Sequence, residues 1–114
     1  MISNELLKGS LKTIILKILR EEGPMHGYAI TRRAEELTEG RIKLTYGALY
    51  PLLHKLESEQ VLITTSEIYN NRVRINYALT PKGHSLVTEK INEMREFIDS
   101  LKWIIEPKTG TSYA

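Results

Sequence analysis

Leu44-Thr45-Tyr46-Gly47-Ala48-Leu49-Tyr50-Pro51-Leu52-Leu53-His54-Lys55-Leu56-Glu57, read with the two β-prone runs that follow it, decides the fold of this 114-residue chain. Leu49, Leu52, Leu53 and Leu56 fall at i, i+3, i+4 and i+7, so one side of a helix is apolar and buried. Thr45 supplies an N-cap for it. The opposite side carries Gly47, Tyr50, Pro51, His54, Lys55 and Ser58, which is small, aromatic and hydrogen-bonding rather than densely charged. Such a face suits a DNA major groove: Gly47 allows close backbone approach, Thr45, Tyr50 and His54 reach phosphates or base edges, and Lys55 adds attraction. Pro51 sits on the exposed side near the helix start, where a slight bend accommodates it. The competing reading is the solvated side of an ordinary core helix, and the neighbouring segments decide between the two.

Downstream, Val61–Tyr69 and Arg72–Leu79 are separated by Asn70-Asn71, a pair that tolerates positive φ and so forms a tight hairpin turn. In the second run Val73, Ile75, Tyr77 and Leu79 point one way and Arg72, Arg74 and Asn76 the other, so the tip offers guanidinium groups to solvent. Charges that merely protect an edge strand are the alternative for those arginines. Upstream, Arg41-Ile42-Lys43-Leu44 alternates as a short strand with Ile42 and Leu44 inward. Asn4 to Glu22 reads as one helix, with Leu7, Leu11, Ile14 and Ile18 widened by Leu6, Ile15 and Leu19, and Gly23-Pro24 ends it. His26-Gly27-Tyr28 opens a second helix, with Ile30, Ala34 and Leu37 inward, that closes at Gly40.

The order helix, helix, short strand, helix, strand, turn, strand is that of a winged helix-turn-helix, mostly α with a small β-hairpin wing. Residues 1–80 form that head and 81–106 a long C-terminal helix that starts at Thr80-Pro81. Residues 107–114 read as a disordered tail. A basic hairpin after the groove-facing helix and Lys43 before it put positive or hydrogen-bonding groups on one surface. The candidate DNA-binding residues are His26, Tyr28, Lys43, Thr45, Tyr46, Gly47, Ala48, Tyr50, Pro51, His54, Lys55, Asn71, Arg72 and Arg74.

Three phrases resemble the PadR family of bacterial transcriptional regulators: Gly23-Pro24-Met25-His26-Gly27-Tyr28-Ala29-Ile30, then Leu44 to Glu57 as quoted above, then Tyr77-Ala78-Leu79-Thr80-Pro81-Lys82-Gly83. They span about residues 9 to 84. The resemblance implies a dimeric repressor with a winged-helix DNA-binding head and a C-terminal dimerisation helix, in some members responsive to phenolic acids or other small amphipathic compounds. With a single helix after the wing, the chain is similar to the short-tailed branch. It departs from the pattern at the tip, Asn70 to Asn76, where many relatives are Gly-rich and strongly basic, which bears on the strength of the wing's phosphate contact and not on its existence.

The last helix argues for a homodimer on its own terms. Val87, Ile91, Met94, Ile98, Leu101 and Ile105 recur at steps of four and three, an a/d seam, with Leu7, Leu11 and Ile14 of the first helix beside it. Burial inside one chain is the alternative. A pair of heads would read a two-fold operator in double-stranded DNA. Met94, Phe97 and Trp103 could border a cavity for a flat amphipathic effector, although a lone Trp is more often a packing residue. If such an effector acts, the hinge between head and helix is expected near Thr80-Pro81.

Composition sets outer limits. A 41% hydrophobic content supports one core, and the lack of cysteine agrees with a reducing cytoplasm. No run resembles a signal or a membrane span. The net charge is +2, and residues 1–80 hold that excess, with 11 Lys/Arg against 9 Asp/Glu. His26, His54 and His84 lie on three separate elements without metal-ligand spacing, and neither a phosphate loop nor a nucleophile elbow occurs, so no metal, cofactor or enzymatic activity is expected. The remaining alternative is a winged-helix protein-interaction module, which salt dependence of binding would distinguish from a DNA-binding regulator.

Overall fold

The computed structural model describes residues 2–107, so the expected tail lies, from residue 108 on, outside the described residues. In chain order the elements are α1 (Asn4–Lys8), α2 (Leu11–Glu22), α3 (Gly27–Leu37), α4 (Tyr46–Ser58), β1 (Leu62–Tyr69), β2 (Arg72–Leu79) and α5 (Pro81–Ile105). The core gathers Ile15, Leu16 and Leu19 of α2, Ile30 of α3, Leu49, Leu53 and Leu56 of α4, and Leu62, Tyr77 and Val87.

The single helix expected over Asn4–Glu22 is two helices, broken at Gly9-Ser10. Glycine weakens a helix by roughly 1 kcal/mol relative to alanine, and local bonds favour the break. Ser3 caps α1 by accepting from the Leu6 amide, and the Ile2 amide donates to the Arg41 carbonyl at 3.2 Å, which ties α1 across the loop before α4. The turn swings both Leu7 and Leu11 inward and leaves Leu6 exposed. Leu16, outside the expected stripe, is fully buried.

Arg41–Leu44 is irregular chain and not a strand. The segment that extends the hairpin is instead Met25, whose amide and carbonyl bond the backbone of Tyr77 at 3.0 and 2.7 Å. The turn before Arg41–Leu44 explains its path: Glu39 and Gly40 both take positive φ, and the Thr38 hydroxyl accepts from the Ile42 amide while donating to the Ala34 carbonyl. That turn also carries Leu37 out of the core, where it is 58% exposed rather than inward.

Asn70 and Asn71 take φ of 50° and 60°, the two left-handed positions of the tight turn, and Tyr69 pairs with Arg72 beside it. The expected two-faced hairpin forms, but only its base packs. Tyr77 and Leu62 are buried, whereas in the outer half Val73 is 71% and Ile68 81% exposed.

The junction to α5 is tightly bonded, which argues against the expected hinge there. Thr80 accepts from the Gly83 amide, its hydroxyl donates to the Gln60 carbonyl at 2.6 Å, and its amide donates to Val61. Gly83 is required: a Cβ there would run into the Val61 carbonyl oxygen and stand 3.1 Å from Leu79. Val87 is wholly buried in its own head, so it is a core residue and not part of a face open to a partner. Leu7 and Leu11 are likewise almost covered by their own chain. Ile91 and Met94 are partly covered, and Ile98 and Ile105 stand open.

Candidate nucleic-acid interface

The side of α4 away from the core presents Tyr46, Gly47, Ala48, Pro51, His54 and Lys55, all exposed, with Lys43 and Thr45 exposed just before it. Thr45 caps the helix, accepting from the Ala48 amide at 3.3 Å. At Gly47 a Cβ would meet no protein atom, so that surface is open.

Tyr50 departs from the expected groove-facing set. It is half-buried against the core, and its ring lies over Gly27 at the start of α3. A Cβ on Gly27 would stand 2.6 Å from the Tyr50 Cζ and closer still to the hydroxyl, so the helices approach there only because residue 27 has no side chain. Tyr50 thereby joins α4 to α3 and organises a run of rings. Tyr46 lies 5.7 Å from it and His54 6.3 Å, while across Gly27 the rings of His26 and Tyr28 stack at 6.3 Å.

The start of α3 then meets the wing. His26, Tyr28 and Arg32 share a cleft with Tyr69 and Arg74. Arg32 was not apparent from motif reading. The Tyr28-to-Arg32 spacing of four could have found it, since Arg32 donates to the Tyr28 hydroxyl at 3.0 Å and its guanidinium lies 5.8 Å from the ring. Burial, followed by the nearby Arg74 charge, lowers the His26 pKa and favours its neutral form, with Glu67 opposing.

The two wing arginines differ. Arg72 and Asn71 are exposed at the tip, as expected. Arg74 is paired rather than free: it bonds Glu67 on β1 at 2.6 and 2.8 Å and stacks 4.1 Å over the Tyr69 ring. A hydrogen bond from Asn76, then Arg74, holds the Glu67 carboxyl below its ordinary pKa.

A separate apolar groove of about 580 Å³ runs between α1–α2 and α5. Leu6, Leu7, Ile14, Ile91, Met94, Phe97, Ile98 and Leu101 line it. It brings Met94 and Phe97 together, whereas Trp103, 66% exposed further along α5, does not line it. Among the described residues no helix is long and apolar enough to cross a membrane.

A profile described as the transcriptional regulator PadR-like family matches residues 15–89. The chain belongs to the PadR family. The PadR-like chain is 31% identical over 75 residues to transcriptional regulator Rv3488 of Mycobacterium tuberculosis, 66% of this chain and 67% of that protein. It is 33% identical over 94 residues to transcriptional regulator YqjI of Escherichia coli, covering 82% of this chain but only 44% of that longer protein. A transcriptional regulator from Clostridium thermocellum shares its fold, with a TM-score of 0.82 at 22% identity, covering 90% of this chain and all of that one. PadR of Bacillus subtilis, solved in complex with operator DNA, superposes with a TM-score of 0.64 at 25% identity over 92% of this chain and 52% of that one. The family is one of transcriptional regulators and not of enzymes.

Proposed function

We propose that this PadR-family regulator is a dimeric, cytoplasmic repressor that binds double-stranded DNA, with the 1–80 head on the duplex and the 81–106 helix joining two copies. The observation that carries the reading is a run of neighbouring groups: the rings of Tyr46 and Tyr50 on α4 lead over Gly27 to His26 and Tyr28 at the start of α3, which share a cleft with Arg74 of the wing. In this arrangement Gly47, Pro51 and His54 enter the major groove, and His26, Tyr28, Lys43, Lys55 and Arg72 hold phosphates. The operator complex of the B. subtilis relative supports such docking. The apolar groove beside α5, together with exposed Ile98 and Ile105, supports pairing through the outer part of that helix. A repressor bound across a two-fold site would exclude polymerase, and an amphipathic effector lodged near Met94 and Phe97 would change the spacing of the heads.

The test is selection of duplexes from a randomised pool, followed by affinity measured against salt. With Lys43, Lys55 and Arg72 on each of two heads, log K should fall with log salt with a slope of about −5. A two-fold-symmetric consensus with a slope of that order is expected. Retention of no duplex, or an affinity indifferent to salt, would overturn the reading in favour of a protein-interaction module.

A further inference from the structure

A second cavity, of about 440 Å³, lies on the head itself, away from α5. It exists because the Gly9-Ser10 break and the Ile2-to-Arg41 bond fold α1 over the loop that leads into α4. Leu7, Leu11, Leu44 and Leu52 form an apolar floor, and Lys8, Lys43 and Lys55 stand around it. No carboxylate lines this cavity, and among the described residues none of the three lysines has an ion-pair partner.

Three exposed ammonium groups thus stand around an apolar hollow with no carboxylate in its lining. The species that suits such a site has an apolar body, which removes leucine surface from water, and a single anionic head, which the lysines share. A neutral apolar molecule would forgo the second contribution, and a small hydrophilic anion the first.

We propose that the hollow between α1 and α4 binds an amphipathic carboxylate, and that this ligand competes with DNA. The competition rests on the function proposed above, because Lys43, Thr45, Ala48, Pro51 and Lys55 belong both to the cavity wall and to the surface offered to the duplex. A ligand seated here neutralises two of the phosphate-facing lysines and obstructs the start of α4. Release of DNA then needs no change in the spacing of the two heads.

The experiment is an amide NMR titration of the DNA-free full chain with decanoate below its micellar concentration, with decanol and acetate as comparison probes. Expected are saturable shifts at Lys8, Leu44, Ala48 and Leu52, with much weaker responses to decanol and to acetate. Lys8 ends α1, exposed and outside the DNA-binding set, so Lys8→Glu should weaken decanoate binding about fivefold or more while leaving the urea midpoint in place. Shifts confined to 91–101, no saturation, equal binding of decanol, or an unaltered affinity in K8E would each overturn the site. In a second arm decanoate should weaken duplex binding of the natural chain and do so less in K8E. Occupation of the cavity without weakening of duplex binding would overturn the competition. Failure to bind any duplex would instead refute the function proposed above, while the titration still decides the site.

Discussion

Gly27→Ala probes the contact that sets α3 against α4. An ideal Cβ at position 27 would lie 2.6 Å from the Tyr50 Cζ. Carbon pairs rest at about 3.5–4.0 Å, so the ring must retreat by roughly 1 Å. Overpacking of this kind costs about 1–3 kcal/mol. Gly27 already has helical geometry at the first position of α3, so alanine there should also gain about 0.4–1 kcal/mol by restricting the unfolded chain. The net expectation is a loss of up to about 2.6 kcal/mol in the natural background. With Tyr50→Ala the obstruction is gone and only the gain remains, so the same substitution should stabilise, giving a coupling of about 1–3 kcal/mol. Urea unfolding of the four proteins at one fixed protomer concentration measures this, fixed because dimerisation would shift the apparent stability. Equal destabilisation by G27A in both backgrounds would show that Tyr50 is not what excludes a side chain there. Because Tyr46 and His54 take their places from Tyr50, G27A should also lower DNA affinity more than its stability loss explains.

Three further expectations concern charge and assembly. Glu67→Gln releases Arg74 from its carboxylate partner, so DNA affinity at low salt should rise and the slope against salt should steepen by about 0.9 per wing; a lower affinity or an unaltered slope would mean that Arg74 does not face phosphate. His26 has a lowered pKa in the folded chain, so the unfolded chain takes up its proton first and stability should fall as pH drops below the ordinary value of 6.5, a loss that His26→Gln removes and that unfolding curves between pH 5 and 8 would record. Ile98→Lys places a charge on the open part of α5 and should weaken self-association by at least about 2 kcal/mol while leaving the circular dichroism of the chain intact, as read by sedimentation.

The local rules of the chain were legible wherever a few adjacent residues decide the outcome. Thr45 and Thr80 cap their helices, Asn70-Asn71 turns the hairpin, and Leu49, Leu53 and Leu56 are buried as their spacing requires. What periodicity could not show is how far a face stays covered. Val73 continues the stripe of Tyr77, yet the hairpin outruns the head, and Leu37 continues the stripe of Ile30 just where the chain turns away. The break at Gly9-Ser10 was hidden because apolar spacing carries across it, and the Ile2-to-Arg41 bond that ties α1 to the loop before α4 joins residues far apart in the chain. In the candidate interface the residue types were legible but not their partners. Arg74 reads as a free cation until Glu67 is placed opposite it by the register, and Tyr50 reads as groove-facing until Gly27 is found beneath it.

The bonded base of α5 has a mechanical consequence. Thr80, Gly83, Val87 and the Arg20-to-Thr88 bond fasten the first turns of this 25-residue helix to the head, so the two move as one stiff arm about 37 Å long. Rotating such an arm by about 5° at its outer end carries the reading surface through roughly 3 Å, close to the rise of one base pair along B-DNA. In the dimer proposed above, degree-scale changes where two arms cross would be magnified into steps of about one base pair, with the outer turns of α5 as the fulcrum.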